Sequence, residues 1–388
     1  MTDRRTTTAL PTRWPIVQAP MAGGPDTPAL AAAVSNAGGL GSLGCAYMTP
    51  QEIEATAAKL RSLTSQPFAL NLFVRADAPD DPAATARVSP VLAEFRRELG
   101  LPSPPPPGRA APEFEAQLEA VLQIRPAVFS FTFGAPTRAQ IEALHARSIA
   151  VIGTATTVEE AVVLAALGVD AVCAQGAEAG GHRGTFLGAF EDGLVGTITL
   201  VPQIAARVQV PVIAAGGIMD GRAIRAMLEL GAAGVQLGTA FMTCPEAGTS
   251  EVHRAALATA WRTVVTRAFS GRPARGVRNR FSEAFAAVEA APFPQQQSLT
   301  RDLRAAAAAQ GRADLMQLWA GQGAPMGARC LRKSWWRCWC ARQGSRRSEW
   351  TSASVTIRGG ANDGTANRGL AGRRGRSVRV MIVVRAIG

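Results

Sequence analysis

Histidine is scarce: the chain has three in 388 residues, so proton transfer near neutral pH has few places to sit. No apolar run approaches the ~20 residues that a membrane-spanning helix needs. The start, Met1-Thr-Asp-Arg-Arg-Thr-Thr-Thr, lacks the apolar core of a secretory signal. These absences predict a cytoplasmic protein with no membrane association. Cys45, Cys173 and Cys244 lie too far apart to suggest a disulfide framework. Cys338 and Cys340 form a C-x-C with no second pair at ligand spacing, so no metal is expected. No G-x-x-x-x-G-K-[ST] nucleotide loop and no Ser-His-Asp or Cys-His arrangement is evident.

What is present describes a large α/β protein. The chain is 47% hydrophobic with 39 Gly and 25 Pro, a composition of many tight turns. Its net charge of +12 is not spread evenly. Residues 328–388 hold 14 of the 41 basic residues and 2 of the 29 acidic ones, which leaves 1–327 with no net charge. A basic tail can bind nucleic acid or anionic lipid, but solvated disorder is the more economical reading, and no nucleic-acid partner is expected. A third reading fits better. The tail holds Trp335, Trp336, Trp339, Trp350 and three of the six Cys, shows little periodicity and abandons the Ala/Leu/Glu texture of the helices before it. Arg, Gly, Trp, Cys and Ser are what a GC-rich gene yields out of frame, so the native frame is read as lost near Gly327.

Residues 14–245 alternate strand and helix signals. The strands are read at 15–20, 40–44, 68–73, 127–133, 149–153, 171–175, 211–215 and 234–237. Thr27 with Pro28 opens the first helix, and Thr49 with Glu52 stands at capping-box spacing for the second. Residues 75–112, with Pro104 to Pro107 in a row, read as an insertion carrying a short helix at 91–99. Eight strand–helix repeats with continuously apolar strands predict a TIM (β/α)8 barrel, with a doubly wound open sheet as runner-up. Residues 246–327 read as added helices (250–260, 299–310) joined by loops. The expected division is therefore a barrel at 1–245, an extension at 246–327 and the basic tail at 328–388.

Barrel enzymes bind ligands at the C-terminal ends of their strands. Those ends carry Ala19-Pro20-Met21-Ala22-Gly23-Gly24, Asn71, Gln175, Gly216-Gly217 and Gln236-Leu237-Gly238-Thr239. The last two loops are where barrels hold phosphate. Three uncharged amides, Asn71, Gln175 and Gln236, beside a phosphate site suggest flavin mononucleotide (FMN). His182 follows the apolar run Val169–Cys173 on the loop Ala179-Gly180-Gly181-His182, where an imidazole is placed for chemistry rather than packing. Glu178 is a second acid–base candidate, although a loop carboxylate is more often solvated. Cys173 precedes the same loop, facing an undetermined side. His145 and His253 fall in predicted helices and are read as structural.

Together these segments resemble the nitronate monooxygenase family: Pro15-Ile-Val-Gln-Ala-Pro-Met-Ala-Gly-Gly24, Ser35-Asn-Ala-Gly-Gly-Leu-Gly41, Phe68-Ala-Leu-Asn-Leu-Phe73, Ala174 to Gly184, Ala214-Ala-Gly-Gly-Ile218, Val235-Gln-Leu-Gly-Thr239 and Ser270-Gly-Arg-Pro-Ala-Arg-Gly276. The likeness spans about 14–326. It implies an FMN-bound barrel that oxidises alkyl nitronates, such as propionate 3-nitronate, with O2 to a carbonyl compound and nitrite, in a detoxifying role. It assigns flavin contacts to Met21, Ala22, Gly23, Asn71, Gln175, Gly180, Gly181, Gly217, Gln236, Leu237, Gly238 and Thr239, and makes His182 the base. The expected partners are the nitronate and O2, the assembly a monomer or homodimer. A flavin-dependent enoyl-acyl-carrier-protein reductase using NAD(P)H, which shares an Ala-Gly-Gly-His loop, and a non-catalytic flavin-binding protein are the alternatives.

Overall fold

A computed structural model describes residues 10–74, 79–103 and 113–330. The proline run 104–107 and the basic tail from 331 onward lie outside these residues. In chain order the strands are β1 (Ile16–Gln18), β2 (Gly41–Gly44), β3 (Phe68–Phe73), β4 (Val128–Thr132), β5 (Ala150–Ala155) and β6 (Ala171–Gln175). They continue with β7 (Gly181–His182), β8 (Val212–Ala215), β9 (Gly234–Leu237), β10 (Thr263–Thr266) and β11 (Ala274–Val277).

Eight of them form one parallel sheet in the order β1-β9-β8-β6-β5-β4-β3-β2. The edges meet: Gln18 N donates to Leu40 O at 2.9 Å, Leu40 N donates to Ile16 O at 2.9 Å, and the buried Gln18 Oε1 accepts from Ser42 N at 2.9 Å. The open-sheet alternative is thereby excluded, because the first and last strands pair with each other. Val17, Leu40, Ala69, Val128, Ile152, Cys173 and Ile213 fill the interior as one apolar cluster. Cys173 thus packs inside the barrel, where burial pushes its thiol up to about 12 and leaves it unreactive.

The helix starts follow their capping chemistry. Thr27 Oγ1 accepts from Leu30 N, and Thr49 with Glu52 forms a complete capping box. Thr137 with Gln140 and Thr157 with Glu160 repeat it.

Two expectations need correcting. The insertion helix runs from Pro82 to Glu98, capped by Asp81, with Pro90 inside it; the internal proline masked its first half. The extension is not only helical. β10, β11 and β7 form a three-stranded antiparallel sheet that carries His182; the expected helix at 299–310 forms as Arg301–Ala309, with a further short helix, Gln295–Leu299, before it. A second apolar cluster joins insertion to extension through Leu92, Phe95, Phe269, Phe281, Leu303 and Leu318. The buried Arg96 makes a bidentate pair with Asp302 at 2.9 and 2.7 Å across the same seam.

Candidate active site

One cavity opens at the C-terminal mouth of the barrel, and all thirteen residues expected at the site line it: Met21, Ala22, Gly23, Asn71, Gln175, Gly180, Gly181, His182, Gly217, Gln236, Leu237, Gly238 and Thr239. The sheet explains the convergence. Every parallel strand ends on the same face, so residues far apart in sequence meet there.

Each wall is held from behind. The Met21 loop is tied down by Asp26, whose Oδ2 accepts from Met21 N at 2.8 Å and Gly44 N at 2.6 Å. Enclosure beneath that loop raises the Asp26 carboxyl to about 6 despite both bonds. Asn71 donates to Ser130 Oγ at 3.0 Å, which leaves its carbonyl oxygen for the cavity. Gln175 is a clamp: Nε2 donates to His182 O at 3.0 Å and Oε1 accepts from Gly184 N at 2.9 Å. Its second N–H stays available. Thr239 Oγ1 accepts from Gly321 N at 3.0 Å and joins the phosphate-type loop to the extension.

Two glycines are needed for space or conformation. A Cβ on Gly180 would lie 2.5 Å from Ala320 C and Gly321 N. Gly217 has φ +68, left-handed backbone that turns the chain at the end of β8. Glu178 is not among the residues that line the cavity. It accepts from Thr197 N at 2.9 Å and Thr197 Oγ1 at 2.7 Å, at the start of the helix Thr197–Ala205.

His182 is enclosed by aromatic rings. Centroids of Trp319, Phe133, Phe73 and Phe293 stand 5.5, 5.6, 6.3 and 6.5 Å away. Phe133 adopts φ +79, unusual for a bulky side chain, and the Arg272 guanidinium lies 3.8 Å from its ring centroid. The imidazole keeps some surface open to the cavity, but the rings hold bulk water off. That burial, with the Arg272 and Arg304 charges, lowers its pKa to about 3, so His182 is neutral at physiological pH. His182 Nε2 is 2.8 Å from Ser270 Oγ, which also lies 3.2 Å from Arg272 O and 3.3 Å from Arg272 N. The imidazole tautomer sets the direction of the His182–Ser270 bond, and with Nε2 engaged there Nδ1 is the ring nitrogen left over.

Of the other histidines, His145 lies away from the cavity and His253 is among its lining residues. His145 pairs with Asp170 at 2.9 Å on the outside. His253 is buried and bonds Trp319 O at 3.0 Å, which fixes the backbone of a cavity residue. Ser270, Arg272, Arg304, Gln317 and the four rings were not expected at the site. Ser270 and Arg272 sit in the segment Ser270 to Gly276 that carried the resemblance, which was the available signal.

The comparisons agree with this geometry. The family model described as nitronate monooxygenase matches residues 4–331. The chain belongs to the nitronate monooxygenase family. A nitronate monooxygenase of Pseudomonas aeruginosa is 47% identical over 341 residues, covering 84% of this chain and 95% of that one. A probable nitronate monooxygenase of Staphylococcus aureus strain Newman is 43% identical over 323 residues, covering 82% and 91%. Among solved structures, a nitroalkane oxidase from Streptomyces ansochromogenes superposes with TM-score 0.80 at 40% identity, over 87% of this chain and 99% of that one. FabK from Thermotoga maritima is more distant, with TM-score 0.64 at 28% identity over 89% and 99%. The nitronate monooxygenase match ends near the start of the tail.

Proposed function

We propose that the chain oxidises alkyl nitronates with O2 to a carbonyl compound and nitrite, in the barrel-mouth cavity, with His182 as base. FMN is the cofactor. The residues present suit it. Asn71, Gln175 and Gln236 place uncharged amides on one cavity with the glycine turn at Gly216-Gly217 and the backbone of Gln236–Thr239, a donor set matched to a heteroaromatic edge and a phosphate. Bound there, FMN supplies the electron acceptor for the nitronate and the route to O2.

The chain's own residues prepare the substrate. A neutral nitroalkane holds its α-proton until a base removes it, and neutral His182 accepts that proton on Nδ1 while Ser270 fixes the ring through Nε2. The aromatic walls around His182 keep water from competing for it. A nitronate supplied preformed needs no base. The observation that carries the reading is the neutral histidine facing the same cavity as the three amides. The protein's place in the cytoplasm and its detoxifying role belong to this proposal; among the described residues no helix is long and apolar enough to cross a membrane. The division into barrel, extension and tail, with the native frame lost near Gly327, is part of it too, and sequencing independent clones of the gene tests that loss.

The deciding measurement is the visible spectrum of the purified protein, followed by ethyl nitronate in air with nitrite and O2 monitored. Flavin bands with nitrite release are expected. Flavin bands without nitrite, joined to rapid anaerobic bleaching by NADH or NADPH, would transfer the site to the reductase chemistry.

A further inference from the structure

Gln317 stands in the cavity for a reason that neither the barrel nor the fold supplies. It belongs to the extended segment after Leu315, where side chains alternate. Met316 and Leu318 are buried in the second apolar cluster, while Gln317 and Trp319 turn to the cavity. Backbone bonds fix this register: Val277 N donates to Leu318 O at 2.8 Å and Ala320 N to Arg275 O at 3.2 Å, against the small sheet that carries His182. Gln317, Trp319 and His182 therefore reach the cavity together.

The orientation of the amide is forced. Arg304 NH1 donates to Gln317 Oε1, and a guanidinium has no acceptor to offer. The oxygen must face Arg304, and the NH2 group must face away from it. Arg304 cannot swing aside. Its Nε donates to Thr300 O and Thr300 Oγ1 at 3.2 and 3.1 Å, and its NH2 to Gln297 O at 3.1 Å. Among the described residues neither Arg304 nor Arg272 has a carboxylate within 4.0 Å. Arg304 polarises the Gln317 amide, whose N–H groups have no acceptor among the described residues.

We propose that Gln317 is a substrate-orienting residue: its Nε2 donates to an oxygen of the nitronate or nitro group, and Arg304 positions it. This rests on the function proposed above. The O–N–O group is a planar anion in the nitronate and carries its charge on the oxygens, so a charge-polarised N–H is matched to it. Holding one oxygen turns the α-carbon to a fixed place in the cavity shared with His182, which is what proton removal requires.

The test uses the FMN-loaded protein, Gln317→Glu and Gln317→Leu. The glutamate keeps a partner for Arg304, so the segment stays anchored, but it removes both donors and faces the anion with negative charge. Leucine removes the polar group. The readouts are KM and kcat for ethyl nitronate and the affinity for nitrite, the product with the same O–N–O group, measured by calorimetry. A lost hydrogen bond to a charged group predicts a rise of about tenfold or more in KM and in the nitrite Kd, with kcat changed by less than about threefold. Arg304→Lys should show the same split in smaller degree. Wild-type turnover with both Gln317 variants keeping KM and nitrite Kd within about twofold overturns this inference alone. A wild-type protein that releases no nitrite overturns the proposed function, and the nitrite affinities then still decide the role of Gln317.

Discussion

With its pKa lowered to about 3, His182 is in the form that accepts a proton throughout the physiological pH range. His182→Asn removes that acceptor while keeping a polar group for Ser270. Turnover of neutral nitroethane should fall by about 100-fold or more, the ordinary worth of a positioned base, and turnover of preformed ethyl nitronate by less than about tenfold; equal losses would sink the base role. The same residue leaves a mark on stability. Folding lowers His182 from 6.5 to about 3, so in that interval the unfolded chain binds the proton and the folded one refuses it. Its contribution is present above 6.5 and is lost as pH falls toward 3. Asp26 runs oppositely. Raised from 3.8 to about 6, it holds an extra proton when folded, so its contribution is full below 3.8 and is lost as pH rises through 6. On acidification from about pH 6 to 4 the two oppose each other. Relative to wild type, His182→Asn should lose less Tm over that interval and Asp26→Asn more; parallel curves for all three proteins would refute the assignment. His182 was legible because it stands on a glycine-rich loop after an apolar strand. The pairings of Asp26, Ser270 and Gln317 were not: Ser270 sits in a segment that carried the resemblance, but it meets His182 across 88 positions, and no local pattern announces that contact.

At the scale of elements, the barrel was legible wherever a segment obeyed one rule throughout. β3, β6 and β9 fall where continuous apolar runs placed them, and three threonines cap helices through residues three positions on. What escaped was structure formed by pairing. β7 is two residues long and has no periodicity of its own; it is a strand only because Gly181 and His182 pair with Arg275 and Ala274. That pairing sets the height of the catalytic loop against Ala320 and Gly321, and Gly180 is the contact. Gly180→Ala would place a methyl 2.5 Å from that backbone, so one chain must retreat. Overpacking of this kind costs about 1–3 kcal/mol, and at about 2–4 °C per kcal/mol for mid-sized domains Tm should drop by several degrees. Because the displaced segment carries Gln317 and Trp319, KM for nitronate should rise as well. Thermal melts and kinetics of this variant check both, and an unchanged Tm would show that the loop and the extension do not bear on each other.

For the whole molecule, charge divides sharply near Gly327. Residues 1–327 carry no net charge and 328–388 carry the full +12. Among the described residues, every one that lines the cavity lies at or before Gly323, and the family match stops at residue 331. The sequence showed the change of texture but not what it means for function, since composition cannot say whether a basic segment touches the site. The geometry makes the expectation specific. A chain ending after residue 331 should keep kcat/KM for ethyl nitronate within about twofold, since it retains every described residue that lines the cavity. It should also lose any retention on heparin or DNA at low salt, because that retention scales with the number of cations engaged. Loss of nitrite release on truncation, with FMN still bound, would mean that the tail supplies part of the active site, and the division at Gly327 would have to be abandoned. Loss of FMN and a lower Tm together would mean instead that the tail covers apolar surface of the barrel, and that it is folded with the protein rather than added to it.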